Sequence, residues 1–181
     1  MGIELAATND DLKRKFYAIV SVSDVADLLE VTNDLLMYIL YKKGLKNQYR
    51  MFSIMKKSGG TRQILSPTSS LKLLQSKLSQ ILSIVYQAKP CVHGYTQGRS
   101  IVSNARMHVR RKWVYNVDLN DFFPSINFGR VRGMFIKYFN LPEEPATVLA
   151  QICCYENQLP QGAPTSPIIS NLIFPTNATL L

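Results

Sequence analysis

Residues 117–123 read VDLNDFF, and this stretch places two acids, Asp118 and Asp121, in an apolar run. A carboxylate at the end of an apolar strand is costly unless it is paired, hydrogen-bonded or bound to a metal. Carboxylate oxygens are ligands that Mg²⁺ prefers, and substrate phosphates complete its octahedron. Asp121 also has a simpler interpretation as the N-cap of a helix that begins at Phe122. Taken alone, the stretch leaves a metal site and a helix cap open.

The chain that leads to this stretch is strongly basic. No acidic residue occurs between Asp34 and Asp118, although these 83 positions hold fifteen Lys and Arg. The formal net charge is +9 and the pI is about 9.6. A charge of this sign indicates an acidic partner, most often nucleic acid. A basic surface next to carboxylates favours phosphoryl transfer on nucleic acid, with Asp118 as a metal ligand.

The overall composition is that of a folded protein. Hydrophobic residues make up 46% and charged residues 18% of the 181 positions, which argues against disorder and suits one domain. No apolar run has the length of a membrane-spanning helix, so we expect no membrane partner. The three cysteines have neither metal-site spacing nor the even number of a disulfide framework. We therefore expect a cytoplasmic protein.

The hydrophobic pattern predicts mostly helices and one hairpin. Apolar residues recur at helical spacing in 23–41 with a break at 31–34, and in 69–85, 101–109, 128–139, 142–155 and 168–173. Residues 50–54 and 63–65 are predicted strands joined by a turn at 58–60. A further buried strand is predicted at 113–119, because Trp, Tyr and Val suit a pleated sheet. The helical pair within 23–41 also permits a DNA-reading helix-turn-helix.

The most specific string in the chain is LPQGAPTSP at residues 159–167. Its prolines alone predict only a rigid loop that leads into a helix. Together with VDLNDFF about forty residues upstream, it resembles motifs A and B of the reverse transcriptase palm in order and spacing. Residues 57–64, KSGGTRQI, are similar to the first fingers motif of that family, and residues 93–101, HGYTQGRSI, to the second.

A further string, NARMH at residues 104–108, fits the Asn-Ala-x-x-His signature of retron reverse transcriptases. Asn104, Ala105 and His108 carry this signature. The resemblance extends from about residue 28 to residue 173. It implies an α+β fold with a helical extension at 1–45, a fingers subdomain at 46–112 and an incomplete palm at 113–181, without a thumb.

The resemblance also implies roles for single residues. Asp118 would be the catalytic carboxylate and, with the backbone carbonyl of Leu119, would bind Mg²⁺. Phe123 would exclude a ribose 2′-hydroxyl by its volume. The other residues implied at the nucleotide are Asp121, Phe122, Gln161, Gly162, Arg62 and Arg99. The residues expected to contact the nucleic-acid backbone are Lys56, Lys57, Arg106, Arg110, Arg111 and Lys112.

The implied activity is RNA-directed DNA synthesis from dNTPs on a structured non-coding RNA, through an RNA/DNA hybrid, with a role in antiphage defence. The third family motif, Tyr-x-Asp-Asp, does not occur in the sequence. We therefore expect a truncated gene, a frameshifted remnant or half of a split enzyme, inactive or nearly so alone. Its protein partner would be a complementing carboxyl-terminal fragment or an effector. The alternatives are a non-catalytic nucleic-acid-binding module and a fragment of a group II intron-like or other defence polymerase.

Overall fold

The computed structural model describes residues 4–56 and 59–174, and only the backbone of residues 45 and 46. In this part of the chain, helices pack around one hydrophobic cluster, and a two-stranded sheet lies at its edge. The mixture of helices with a separate antiparallel hairpin agrees with the predicted α+β class. None of the described helices is both long and apolar enough to cross a membrane.

Three short helices form the amino-terminal region. They are α1 at Asn9–Tyr17, α2 at Val22–Leu28 and α3 at Asn33–Met37, which continues into a π-helical turn at Tyr38–Lys42. Each helix is capped by a hydroxyl, of Thr8, Ser21 or Thr32, that accepts a hydrogen bond from the backbone N–H three residues later. The helical pair predicted within 23–41 is confirmed, although its break lies at 29–32 rather than at 31–34.

Helix α1 was not predicted, because its apolar pattern is short. Only Leu12 and Phe16 are buried among its nine residues, so the spacing repeats once. The better signal is the cap, since Thr8 and Asp11 bond to each other through both side chain and backbone. A Ser or Thr followed three residues later by an acid is therefore a better signal for this helix than hydrophobic periodicity.

The predicted hairpin is confirmed, and both of its strands are longer than predicted. Strand β1 at Tyr49–Met55 pairs antiparallel with β2 at Thr61–Pro67, with Tyr49 opposite Pro67 and Met55 opposite Thr61. Most of the hairpin is exposed, and Met55 near its tip is 84% exposed. Only the open end packs on the core, through Tyr49 and Pro67.

Helix α4 at Ser69–Val85 lies at the centre of the core. It packs against α1 and against two later helices, α8 at Glu143–Cys153 and α9 at Ser166–Ile173. One apolar stripe faces the core: Leu71, Leu74, Leu78, Ile81, Leu82 and Val85. Helical spacing predicts Lys77 on the polar face of this helix, and this prediction is wrong, because the residue is only 3% exposed. Its ammonium lies 3.4 Å from the carbonyl oxygen of Glu30 and 3.8 Å from that residue's carboxylate, and these contacts compensate its burial.

The carboxyl-terminal half, as described up to residue 174, contributes five helices: α5 at Ile101–Arg106, α6 at Phe122–Ser125, α7 at Phe128–Lys137, α8 at Glu143–Cys153 and α9 at Ser166–Ile173. Helix α7 packs on α8 and α9, while α8 also contacts α2 and α4. The predicted helices at 128–139, 142–155 and 168–173 are confirmed. The helix predicted at 101–109 ends at Arg106.

The prediction of a buried strand at 113–119 is wrong. These residues adopt no regular secondary structure, and no backbone hydrogen bond joins them to another described residue. Trp113 is 85% exposed and Tyr115 is 91% exposed. A strand is stabilised by hydrogen bonds and side-chain pairs across to a neighbour. Within the described residues, β1 and β2 pair only with each other, so this segment has no neighbouring strand.

Candidate active site

A cleft of about 920 Å³ lies between the hairpin and two segments of the carboxyl-terminal half. Its walls are formed by β2 and by Lys56, which follows β1, by the turn at 118–124 and by the loop at 158–167. Predicted site residues that line it are Lys56, Arg62, Asp118, Leu119, Asp121, Phe122, Phe123, Gln161 and Gly162. The fold therefore gathers into one depression residues that are widely separated in the sequence.

The acidic turn presents two carboxylates to this cleft. Asp121 occupies the N-cap position of α6, yet its φ is +46° and its side chain makes no capping hydrogen bond. The ion pairs among the described residues lie elsewhere, so neither Asp118 nor Asp121 is held by a Lys or Arg there. The helix-cap interpretation thus does not account for the Asp121 carboxylate. Both acids are exposed and have oxygens free for an external cation.

The donor atoms of this turn suit a magnesium ion. Carboxylates and backbone carbonyls are hard oxygen ligands, and Mg²⁺ is commonly held by one or two carboxylates together with water and substrate phosphates. Asp118, Asp121 and the carbonyl of Leu119 could supply such ligands. No group of three or more His, Cys, Asp or Glu suited to a metal occurs in the described part of the chain. The remaining ligands would then come from water and from a bound triphosphate.

Phe122 and Phe123 form the apolar floor below the acidic turn. Their ring centroids are 5.7 Å apart, and Phe122 also meets Phe174 edge to face at 5.8 Å. Both side chains are half-buried, pack against the hydrophobic cluster and line the cleft. Phe123 therefore has one side in the core and one side at the cleft. A ring in this position can fill space next to a ligand while it stabilises the fold.

The proline-rich loop is fastened to both neighbouring walls. The N–H of Leu159 donates to the carbonyl of Ile126 at 3.1 Å, which ties the loop to the end of α6. The N–H of Leu65 in β2 donates to the carbonyl of Gln161 at 2.7 Å. Within the loop, the buried hydroxyl of Ser166 donates to the carbonyl of Pro160 at 2.7 Å. These bonds fix Gln161 between the hairpin and the acidic turn.

Gly162 allows the close approach of the loop and β2. Its φ is +119°, a backbone conformation that residues other than glycine rarely adopt. A Cβ at this position would lie 2.9 Å from the carbonyl oxygen of Leu65 and 2.9 Å from a methyl of Ile64. The glycine is therefore required by contact as well as by conformation. Its role is to keep the hairpin and the loop at one separation.

The cationic side of the cleft comes from the hairpin. Arg62 lies on β2 opposite Ile54, and its side chain is exposed. Lys56 follows β1 and also lines the cleft. A guanidinium and an ammonium at the entrance suit a polyphosphate, because the guanidinium can donate two parallel hydrogen bonds to phosphate oxygens. Lys57, the other predicted base of this tip, lies outside the described residues.

Arg99 is not brought to this cleft. Its Nη1 group is in hydrogen-bond contact with the carbonyls of Lys89, Pro90 and Val92, at 3.1 Å for Pro90. The guanidinium therefore organises the loop that precedes α5. This role was not predicted, because the sequence does not distinguish a loop arginine that binds phosphate from one that donates to backbone carbonyls.

The remaining predicted residues lie along an exposed surface outside the cleft. Arg106 ends α5, and the basic run at 110–112 follows it, where Arg110 has a left-handed φ of +61°. All four bases are exposed. Asn104, Ala105 and His108 are also exposed, and none of them lines the cleft. The structure thus separates a surface of cations from the cleft that contains the acids.

One residue that the sequence did not single out also lines the cleft. Tyr95 is 67% exposed and has a φ of +55°. Its position inside the HGYTQGRSI string was the available signal, although aromatic side chains in loops are common. Thr61 and Gln63 of β2 and Asn120 of the acidic turn complete the polar lining.

Comparison with protein families gives one match that covers most of the chain. A family described as reverse transcriptase (RNA-dependent DNA polymerase) matches residues 54–177. This range includes the end of β1, all of β2, the acidic turn and the proline-rich loop, and with them every residue that lines the cleft.

Similar proteins are retron reverse transcriptases. The chain is 33% identical to the retron Ec86 reverse transcriptase of Escherichia coli, over 84% of this chain and 48% of that protein. It is 35% identical to the retron Mx65 reverse transcriptase of Myxococcus xanthus, over 69% of this chain and 33% of that protein. It is 28% identical to the retron Se72 reverse transcriptase of Salmonella heidelberg, over 86% of this chain and 41% of that protein. The chain spans about half or less of the length of these relatives.

Proposed function

This chain belongs to the reverse transcriptase family, and on this premise we propose that it supplies the nucleotide-binding cleft of a retron-type RNA-directed DNA polymerase. The observation that carries the proposal is the convergence of Arg62, Asp118 and Gln161 on one cleft. In this proposal residues 46–112 are the fingers and residues 113–181 are part of the palm. The template would be a structured non-coding RNA, and the setting antiphage defence.

The cleft supports binding of a deoxynucleoside triphosphate with its phosphates between the hairpin and the acidic turn. Arg62 and Lys56 would face the phosphates from one side, and Asp118 and Asp121 from the other. Acids alone would repel a triphosphate, so a cation between them and the phosphates is required. A bound Mg²⁺ would neutralise charge on the phosphates, while the protein mainly supplies positions.

The walls of the cleft would select the sugar and hold the base. Phe123 is proposed as the side chain that excludes a ribose 2′-hydroxyl, because its ring is half-buried and cannot move away freely. A hydroxyl pressed against an apolar ring also loses its hydrogen bonds to water. Gln161, held by the bond from Leu65 to its carbonyl, would face the nucleotide.

The proposal is tested by nucleotide binding to the purified chain with and without Mg²⁺. Asp118→Asn should abolish the increase in dNTP affinity that Mg²⁺ produces, because the amide carries no charge. Asp27→Asn is the matched control, since Asp27 is an exposed acid of α2 outside the cleft. Arg62→Ala should weaken binding of the triphosphate but leave that of the nucleoside unchanged.

The same variants are then assayed for primer extension with the remaining part of a retron polymerase supplied as a second chain. We expect Mg²⁺-dependent incorporation with the unmodified chain and with Asp27→Asn, and none with Asp118→Asn. Equal incorporation by Asp118→Asn would show that the metal ligands lie elsewhere. An affinity for the triphosphate that changes neither when Mg²⁺ is removed nor in Arg62→Ala would contradict the proposed use of the cleft.

A second candidate function is nucleic-acid binding without catalysis, and the exposed bases at 106 and 110–112 favour it. In this candidate function, the nucleic acid would not be bound by the helical pair α2 and α3 acting as a helix-turn-helix. Helix α3 has five residues and none of them is basic, while its neighbour α2 packs against α8. RNA affinity without any Mg²⁺-dependent nucleotide binding would select this candidate over the polymerase.

A further inference from the structure

The aromatic ring of Tyr95 has no partner in the part of the chain that the structure describes. The ring is 67% exposed, it stacks on no other aromatic residue there, and its hydroxyl makes no hydrogen bond. Tyr95 is one of the residues that line the cleft. A large aromatic side chain that neither packs in the core nor forms a hydrogen bond adds nothing evident to the stability of the fold.

The backbone at Tyr95 is held in an unfavourable conformation. Its φ of +55° lies in the left-handed region, where glycine is preferred and a bulky residue is strained. The residue before it, Gly94, does not have a positive φ. The strain therefore falls on the aromatic residue rather than on the adjacent glycine. Strain of this kind persists only where the surrounding structure enforces it.

Three sets of contacts enforce the loop conformation. Asn171 of α9 donates from Nδ2 to the carbonyl of Gly94 at 2.9 Å, and the hydroxyl of Thr96 donates to the same oxygen at 3.2 Å. The guanidinium of Arg99 donates hydrogen bonds to three backbone carbonyls at 89–92, at the start of the loop. Nδ1 of His93 lies 2.9 Å from Oγ of Ser103 in α5. The two residues that precede Tyr95 are thereby fixed, Gly94 to α9 and His93 to α5.

We propose that Tyr95 is a nucleobase-stacking residue of the cleft, presented by a loop that Asn171 and Arg99 hold in place. The proposal rests on the proposed function, because it requires that the cleft bind nucleotides. Every nucleobase has a π-face, so one exposed ring binds bases of any sequence. The base could belong to the RNA strand or to the incoming nucleotide, and both present the same face. Cations of the hairpin on the same cleft would hold the attached phosphates.

The test uses the purified chain and a single-stranded RNA that carries 2-aminopurine, a base whose fluorescence is quenched by stacking. The variants are Tyr95→Phe, which keeps the ring, and Tyr95→Ala, which removes it. Tyr95→Phe should retain affinity and quenching. Tyr95→Ala should weaken binding by roughly 5- to 150-fold, the loss of one base–aromatic stack, and should abolish the quenching. Tyr38→Ala, an exposed tyrosine distant in sequence and outside the cleft, is the control.

A third variant separates a binding role from a structural one. Glycine adopts the left-handed conformation without strain, so Tyr95→Gly should keep or raise the thermal midpoint of unfolding. It should nevertheless bind as weakly as Tyr95→Ala. Because the lost side chain is uncharged, the slope of log K against log salt should stay the same while the affinity falls. A lower midpoint together with an altered slope would assign Tyr95 to the fold instead.

A parallel titration with the 2-aminopurine deoxynucleoside triphosphate identifies the base involved. A Tyr95→Ala effect confined to RNA assigns the ring to the RNA strand, and an effect on the triphosphate assigns it to the incoming nucleotide. Equal affinity of Tyr95→Ala and the unmodified chain in both titrations would overturn the inference and leave the proposed function intact. If the unmodified chain binds neither ligand, the proposed function and the inference fail together.

Discussion

Glu30 connects the amino-terminal segment to the core through a single side chain. Its carboxylate accepts hydrogen bonds from the backbone N–H groups of Ala6 and Ala7 at 2.9 Å, and Lys77 lies beside it. The hydrogen bond from the N–H of Ala6 is the main cause that lowers the pKa of this carboxyl below its ordinary value of 4.5. The residue also has a left-handed φ of +50°. The charged form of Glu30 is thus preferred by the folded protein.

We expect Glu30→Gln to flatten the acid limb of the stability profile. A lowered pKa in the folded state means that the stabilisation is present above pH 4.5 and disappears as the pH falls through the folded value. The variant should therefore be less stable than the unmodified chain at pH 7 and should converge with it at low pH. Urea unfolding at a series of pH values measures this. A constant difference between the two proteins from neutral to acid pH would refute the linkage.

Gly162 is a residue at which a single methyl group should change the cleft. Gly162→Ala would place Cβ against the backbone of Leu65 and in an unfavourable φ, and such overpacking costs about 1–3 kcal/mol. We expect lower stability together with weaker nucleotide binding. Gly133→Ala in α7 is the control, because no atom lies within 4 Å of its Cβ and alanine favours a helix. Denaturant unfolding should show the control as stable as the unmodified chain, or more stable.

At the scale of elements, the caps of the helices differ although the residues are the same. Thr32 begins α3 and its hydroxyl accepts a hydrogen bond from the N–H of Leu35 at 3.2 Å. Thr68 occupies the same position before α4, yet its hydroxyl makes no capping bond and is buried without a partner. The backbone N–H of Thr68 donates a hydrogen bond to the carbonyl of Gln48 at 2.7 Å, so this residue is held by its backbone and not by its hydroxyl.

This contrast predicts opposite results for one substitution. Thr32→Ala should lower the free energy of unfolding by about 1 kcal/mol, since it removes a cap that the helix uses. Thr68→Ala should cost little or be stabilising, because it removes a buried hydroxyl that has no hydrogen bond. Chemical denaturation of both variants checks the prediction. If both variants lost the same free energy of unfolding, the two hydroxyls would contribute equally to stability, and this would contradict the prediction drawn from their contacts.

Elements could be predicted from sequence where their stability is local. The stripe of α4 and the hairpin with its turn are encoded within a few residues, and both were predicted. The segment at 113–119 has a composition that favours a strand, but pairing depends on a neighbour that composition does not show. Lys77 and Arg99 were misplaced for a similar reason, because their partners are carbonyl groups contributed by distant or irregular backbone. The family resemblance named the cleft residues individually, and the fold brings nine of them together, although no single element encodes that arrangement.

At the scale of the whole molecule, one exposed run of cations lies apart from the acids of the cleft. The exposed run at 110–112 lies outside the cleft, while the acids at 118 and 121 line it. A basic surface of this kind binds phosphates by releasing counterions, so affinity depends steeply on salt. In the proposed function, the surface would provide affinity for a strand, and the cleft would provide the chemistry.

Binding of single-stranded RNA should therefore weaken with salt, with a log–log slope near −4 to −5 if about six phosphates are neutralised. Reversal of the three charges at Arg110, Arg111 and Lys112 should reduce the magnitude of this slope by about 2. The control is reversal of Lys13, Arg14 and Lys15, which changes the net charge equally on α1. Filter binding at several salt concentrations measures both. If the control reduces the slope as much, net charge rather than this surface attracts the RNA.

The exposed segment at 113–119 has a practical consequence for handling the protein. Its backbone donors and acceptors are unused by the described residues, and Trp113, Tyr115 and Val117 face solvent. An unpaired chain of β-branched and aromatic residues is a template for intermolecular strand addition. Solubility of the isolated chain should therefore be limited by this segment rather than by its net charge of +9. A lysine or a proline placed there, at Tyr115 for example, would act as a gatekeeper against aggregation.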